Sequence, residues 1–109
     1  MQRIGLCIRL NASAIVEYKK LHAAVWPEVL ATIARCNIKN YSIFLKEPEN
    51  FLFACFEYHG SDYAADMAVM ARDVKMREWW SLTDPMQTPF DHRAQGEWWA
   101  RLEEVFHSG

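Results

Sequence analysis

Apolar residues recur at every second position near the start of the chain. Ile4, Leu6, Ile8 and Leu10 share one face, and Arg3, Gly5, Cys7 and Arg9 the other, which predicts a half-buried strand. From Ser13 the period lengthens: Ile15, Tyr18, Lys19 and His22 fall at helical spacing as far as Ala23, with Ser13 or Asn11 available as N-cap. Pro27 has no N–H to offer the carbonyl of Ala23 and pushes Trp26 out of the helical region, so a break is expected near residues 23–26. Pro27 then suits the first position of a second helix, Glu28 its positive end, and Val29, Leu30, Ile33 and Ala34 an apolar face up to about Cys36.

Tyr41, Ile43 and Leu45 alternate with Ser42 and Phe44, Lys46 to Asn50 supply turn residues, and Phe51 to Tyr58 is again β-prone. This predicts two hairpin-connected strands. His59-Gly60-Ser61-Asp62 reads as a stop and an N-cap before a helix carrying Tyr63, Met67 and Met70, and Asp73 caps a further short helix with Met76, Trp79 and Trp80. Ser81 to Gly96, with Pro85 and Pro89, reads as a long loop of the kind that carries function. Trp98 to His107 forms a last strand, with helix competing because of Glu103-Glu104. The order is that of an α+β, ferredoxin-like split βαβ fold, with one antiparallel sheet, helices on a single face and one domain over residues 1–109. Because Phe51, Phe53 and Cys55 oppose Leu52, Ala54 and Phe56, both sheet faces are apolar, and the face without helices calls for a second copy: a homodimer packed sheet against sheet.

Composition narrows the function. Of 109 residues, 12 are Lys or Arg and 14 Asp or Glu, a net charge of −2 that argues against binding to nucleic acid. Cys7, Cys36 and Cys55 lack a CxxC spacing and sit in apolar stretches that read as core, as reduced thiols do. With no continuous apolar run for a membrane span or signal peptide, a soluble cytoplasmic protein is expected. The four histidines recur at no metal-ligand spacing, so no metal is expected, and the four glycines form no phosphate-binding loop. Five tryptophans are more than a small core absorbs easily, since each indole N–H wants a partner when buried.

Those aromatics surround a candidate acid/base. Tyr18 and His22 lie four apart on one helix face, and His22 precedes the Pro27 break, where a side chain can project into a cleft. Histidine titrates near neutrality and can both give and take a proton. Trp26, Trp79, Trp80, Tyr18 and Tyr41 supply flat apolar faces with polar tips, a mixture suited to a sugar ring, although one of Trp79 and Trp80 could equally be core and the other interface. Asp84 could orient a hydroxyl, but it also reads as a turn-former.

His22, Trp26-Pro27-Glu28, Asn40-Tyr41-Ser42-Ile43-Phe44-Leu45, Asn50-Phe51-Leu52-Phe53-Ala54, and Trp79-Trp80 followed by Thr83-Asp84 resemble the L-rhamnose mutarotase family, and the similarity extends to Glu103-Glu104-Val105-Phe106. The resemblance implies a dimeric ferredoxin-like α/β barrel that interconverts the α and β anomers of a 6-deoxyhexose without a cofactor. It assigns His22 as proton donor and Tyr18, Tyr41, Trp79 and Trp80 as sugar contacts, with Trp26 and Asp84 as further possibilities. Two departures stand out: Ala23-Ala24 follows His22 where the rhamnose enzymes carry Asn-Pro, and the Gln87 to Trp99 segment is longer, with Gly96-Glu97-Trp98-Trp99. In these respects the chain is similar to mutarotases associated with L-fucose, so L-rhamnose is the first expectation and L-fucose the alternative. A non-catalytic ligand-binding module and a cofactor-free monooxygenase on the same scaffold are the competing readings.

Overall fold

In the computed structural model, which describes residues 1–109, strand β1 (Gln2–Leu10) buries Ile4, Ile8 and Leu10 on one face. It runs antiparallel to β3 (Phe51–Tyr58), with Ile4 beside Phe56, Leu6 beside Ala54 and Ile8 beside Leu52. β3 pairs in turn with β2 (Ile38–Lys46), Ile43 opposite Ala54 and Leu45 opposite Leu52. The three strands thus present one continuous apolar face, where each fully buried large aliphatic contributes about 1.5–3 kcal/mol.

Helices α1 (Ile15–Ala23), α2 (Pro27–Arg35), α3 (Tyr63–Arg72) and α4 (Val74–Thr83) complete the fold. Val29 of α2, Met70 of α3, and Met76 and Trp79 of α4 join Ile4, Phe56 and Tyr58 in one core cluster; Tyr18 of α1 joins Ile8, Leu10 and Leu52 in a second. The other edge of β1 takes two short strands, β4 (Gln87–Thr88) against Arg9 and Leu10, and β5 (Ala100–Leu102) against Gly5 to Cys7. All pairings are antiparallel and the main path runs β2-β3-β1-β4, the strand order of the expected α+β fold.

The punctuation residues act largely as their chemistry directs. Trp26 is extended before Pro27 at the start of α2, and Asp62 and Asp73 accept from the backbone N–H groups of Ala65 and Met76. The expected cap on α1 is absent. Residues 12–14 form a 3₁₀ turn ahead of the helix, and Asn11 bonds instead to the Pro85 carbonyl and the Thr88 hydroxyl. Tertiary partners have outcompeted the local cap.

Four other expectations are corrected. The loop predicted from Ser81 holds the end of α4, a 3₁₀ turn at Asp84–Met86 and strand β4, and the last strand shrinks to three residues with no regular structure from 103 onward. Cys55, read as core, is exposed, whereas Cys7 and Cys36 are buried. It lies on the helix-free face with Phe44, Phe53 and Leu102, where Phe44 opposes Phe53 and Leu102 opposes Gly5. Finally, β2 is not regular: its register shifts between Lys39 and Ser42. Asn40 there has φ 53°, a left-handed conformation that asparagine tolerates, and the extra residue lays the Tyr41 ring against Phe56 at 5.1 Å between centroids.

Candidate active site

The last turn of α1 fixes His22. Nδ1 lies 2.9 Å from the Tyr18 carbonyl oxygen, which can only accept, so Nδ1 carries the hydrogen and Nε2 the free lone pair. Nε2 has no hydrogen-bond partner in the chain and is not sealed from solvent. The imidazole stacks on the Tyr18 ring at 4.1 Å and meets the edge of Trp79 at 5.3 Å. Burial lowers the pKa of His22 below the ordinary histidine value and outweighs the opposing effect of the Tyr18 carbonyl. The arrangement is a neutral imidazole, held by one nitrogen and offering the other as a base.

The expected partners are gathered unequally. Trp26, set by the Pro27 break, meets Trp79 edge to face at 5.1 Å, so Tyr18, His22, Trp79 and Trp26 form a continuous aromatic chain. Trp79 is 6% exposed and part of the core. Trp80 is half-buried and packs against the same core without a ring contact to His22. Tyr41 keeps 39% of its surface exposed while its ring lies against buried Phe56, and desolvation, reinforced by the Tyr18 and Tyr63 phenols, pushes its pKa far upward. Burial likewise pushes Tyr18 up to about 12, opposed by a hydrogen bond from Gln87. Both phenols stay protonated through neutral pH, so each hydroxyl keeps a hydrogen it can donate.

Asp84 starts the 3₁₀ turn after α4, and partial burial raises its pKa. The sequence offered no reason to single out Gln87, but it is buried in β4, where its amide donates to the Tyr18 hydroxyl at 3.3 Å and accepts from the Trp98 indole at 2.8 Å. A glutamine acquires such a place only through the fold, since a two-residue strand has no period to read. The segment around it is tied down by Asn11 on one side and by an Arg9 guanidinium that donates to the Pro89 carbonyl on the other. Two open depressions of about 470 and 530 Å³ are both lined by the exposed loop residues Arg93 and Ala94, and Trp98 borders the second. No three His, Cys, Asp or Glu side chains converge as a metal-ion site, and no helix is long and apolar enough to cross a membrane.

Comparison with known proteins places this geometry. The family model described as L-rhamnose mutarotase matches residues 3–108. An L-rhamnose mutarotase from Paraburkholderia xenovorans is 32% identical over 108 residues, covering 98% of this chain and 95% of the relative. One from Shigella flexneri is 32% identical over 107 residues, covering 98% of each chain. The crystal structure of an L-rhamnose mutarotase from Formosa agariphila superposes with a TM-score of 0.78 at 24% identity over 100% of both chains, a likeness of fold. With its sheet, its helices and nearly its whole length matched, the chain belongs to the L-rhamnose mutarotase family of sugar isomerases.

Proposed function

We propose that the protein interconverts the α and β anomers of a 6-deoxyhexose, L-rhamnose first, by ring opening at His22. The observation that carries this reading is the orientation of the imidazole, neutral and with Nε2 free among aromatic side chains. Nε2 takes the proton of the anomeric hydroxyl while a hydroxyl donor, Tyr18 or Tyr41, protonates the ring oxygen; the bond from the anomeric carbon to that oxygen breaks and the open aldehyde results. After rotation about the adjacent carbon–carbon bond, the carbonyl oxygen recovers a proton from His22 and the ring oxygen returns its own. Each group ends as it began, and no oxidant or cofactor enters the balance. His22 is therefore the proton donor of the family resemblance only in the closing half, and a base in the opening half. Trp80, half-buried, supplies an apolar face for the sugar, while Trp79, 6% exposed, backs the His22 ring as part of the core instead of facing the sugar, with Trp26 behind it and Asp84 within the adjoining turn.

The test is anomer-exchange NMR on L-rhamnose and L-fucose. Faster exchange of L-rhamnose is expected; faster exchange of L-fucose alone moves the reading to the alternative substrate that the 87–99 segment suggests. Binding of either sugar without faster exchange rejects catalysis. The pH profile follows from His22. Because its pKa is lowered, kcat/KM holds level from pH 8 down through about 6.5, the ordinary histidine value, and falls at more acidic pH as Nε2 is protonated. The same shift makes the folded chain bind fewer protons than the unfolded one below that value, so His22 also withdraws stability as the pH drops through its window. A fall centred above 6.5 contradicts the base assignment.

A homodimer is part of the proposal. Phe44 is 63% exposed, Phe53 37% and Leu102 42%, all on the helix-free face, and the tail adds Val105 and Phe106. An apolar patch of this kind fits a self-complementary interface between copies of the chain. Phe44→Asp places a charge on the most exposed of these side chains, and light scattering is expected to show conversion from dimer to monomer. A wild-type monomer at micromolar concentration rejects the assembly. All three cysteines are free, which suits the reducing cytoplasm we propose as its compartment.

A further inference from the structure

We propose that Gln87, oriented by the indole of Trp98, is a positioning residue that commits the Tyr18 hydroxyl to donating its hydrogen toward the sugar. The inference rests on the reading of the His22 cluster as a mutarotase site. It starts from hydrogen-bond polarity. A glutamine amide has one accepting and one donating end and, by shape alone, fits a site either way round, whereas an indole N–H can only donate.

Trp98 Nε1 lies 2.8 Å from Gln87 Oε1, so the indole settles which end of the amide is which. The opposite end, Nε2, then faces the Tyr18 hydroxyl oxygen at 3.3 Å, and that oxygen accepts. A phenol that accepts through its oxygen keeps its own hydrogen for another acceptor. Tyr18 donates to no group of the chain, so the hydrogen is left for a substrate oxygen beside His22, whose ring stacks on the same tyrosine.

The environment makes this polarity stable. Gln87 is 7% exposed and Tyr18 5%, so water does not compete freely for either hydroxyl lone pair or amide. Gln87 is held in register with Leu10 of β1, and Asn11 pins the turn before it through the Pro85 carbonyl and the residue after it through Thr88. Without the indole N–H the amide can turn over, Oε1 takes the Tyr18 hydrogen, and the phenol ceases to donate. The segment that carries Trp98 thereby acts on the chemistry without touching the sugar.

The experiment is a mutant cycle read by anomer-exchange NMR, with melting temperature recorded for each variant. Gln87→Glu keeps the size of the side chain, but its ionised carboxylate accepts from both Trp98 and Tyr18 and so inverts the phenol. Trp98→Phe removes the N–H while keeping an aromatic ring, smaller than the indole, at a side chain 39% exposed, and preserves the test if Gln87→Glu fails to fold. Each is expected to lower kcat/KM about tenfold, the scale of one hydrogen bond, and to cost nothing further in a Tyr18→Phe background. A bridge that merely held the loop in place would instead tolerate Gln87→Glu, and its losses would multiply with that of Tyr18→Phe; either result overturns the proposal while wild-type exchange stands. A wild-type protein that accelerates exchange of no deoxyhexose overturns the mutarotase reading, and this inference with it.

Discussion

His22→Ala is expected to slow anomer exchange by about 10²–10⁴-fold, the range supplied by a positioned general acid/base, while leaving the fold intact. The asymmetry follows from what the imidazole touches. One nitrogen is spent on the Tyr18 carbonyl, an oxygen that α1 (Ile15–Ala23) already engages in its backbone ladder and that can do without the imidazole. The ring faces lie on Tyr18 and against Trp79, contacts whose loss costs on the order of 1 kcal/mol beyond the buried area. By contrast, the free Nε2 has no substitute near it: the phenols of Tyr18 and Tyr41 are pushed too high in pKa to act as bases at neutral pH, and the Asp84 carboxyl sits on a separate turn. NMR exchange rates on L-rhamnose and a thermal melt, measured on the same sample, separate the two effects. Small imidazoles in solution are expected to restore part of the rate by occupying the vacated space. Full activity in His22→Ala would remove His22 from the mechanism, whatever the stability.

Elements with a long period or a local cap were legible in the sequence. Nine residues of β1 offer four turns of the period-two pattern, and Asp62 and Asp73 cap helices through groups only three residues away. The Tyr18 and His22 pair was legible for the same reason, since four residues on a helix become one face. What the sequence could not show depends on distant partners. Both faces of β3 are apolar, so local pattern could not say that Cys55 points away from the helices while Ala54 points toward them. Asn11 would cap a helix in isolation, but Thr88 and Pro85, more than seventy residues on, claim its side chain. Gln87 gave no signal because its importance lies in which groups meet its two ends, and both Tyr18 and Trp98 reach it from other segments. The candidate acid/base histidine was thus readable, and the polar support behind it was not.

The adjacent tryptophans are expected to separate into two roles. Trp79→Ala removes an indole that is 6% exposed, joins the main core cluster and contacts both His22 and Trp26. A cavity of that size costs about 3–5 kcal/mol, a large part of the 5–15 kcal/mol that holds an ordinary domain folded. Unfolding at or near room temperature is therefore expected, with activity lost along with structure. Trp79→Phe, which refills much of the space, should recover folding but leave the His22 ring less well held, lowering kcat more than it raises KM. Trp80 is only half-buried at the neighbouring position on the helix, so Trp80→Ala is expected to melt within several degrees of wild type and to raise KM for the sugar instead. Denaturant titration and steady-state anomer exchange on the three variants distinguish these outcomes. Equal destabilisation by Trp79→Ala and Trp80→Ala contradicts the division, because the same helix then buries both indoles and leaves neither for the sugar.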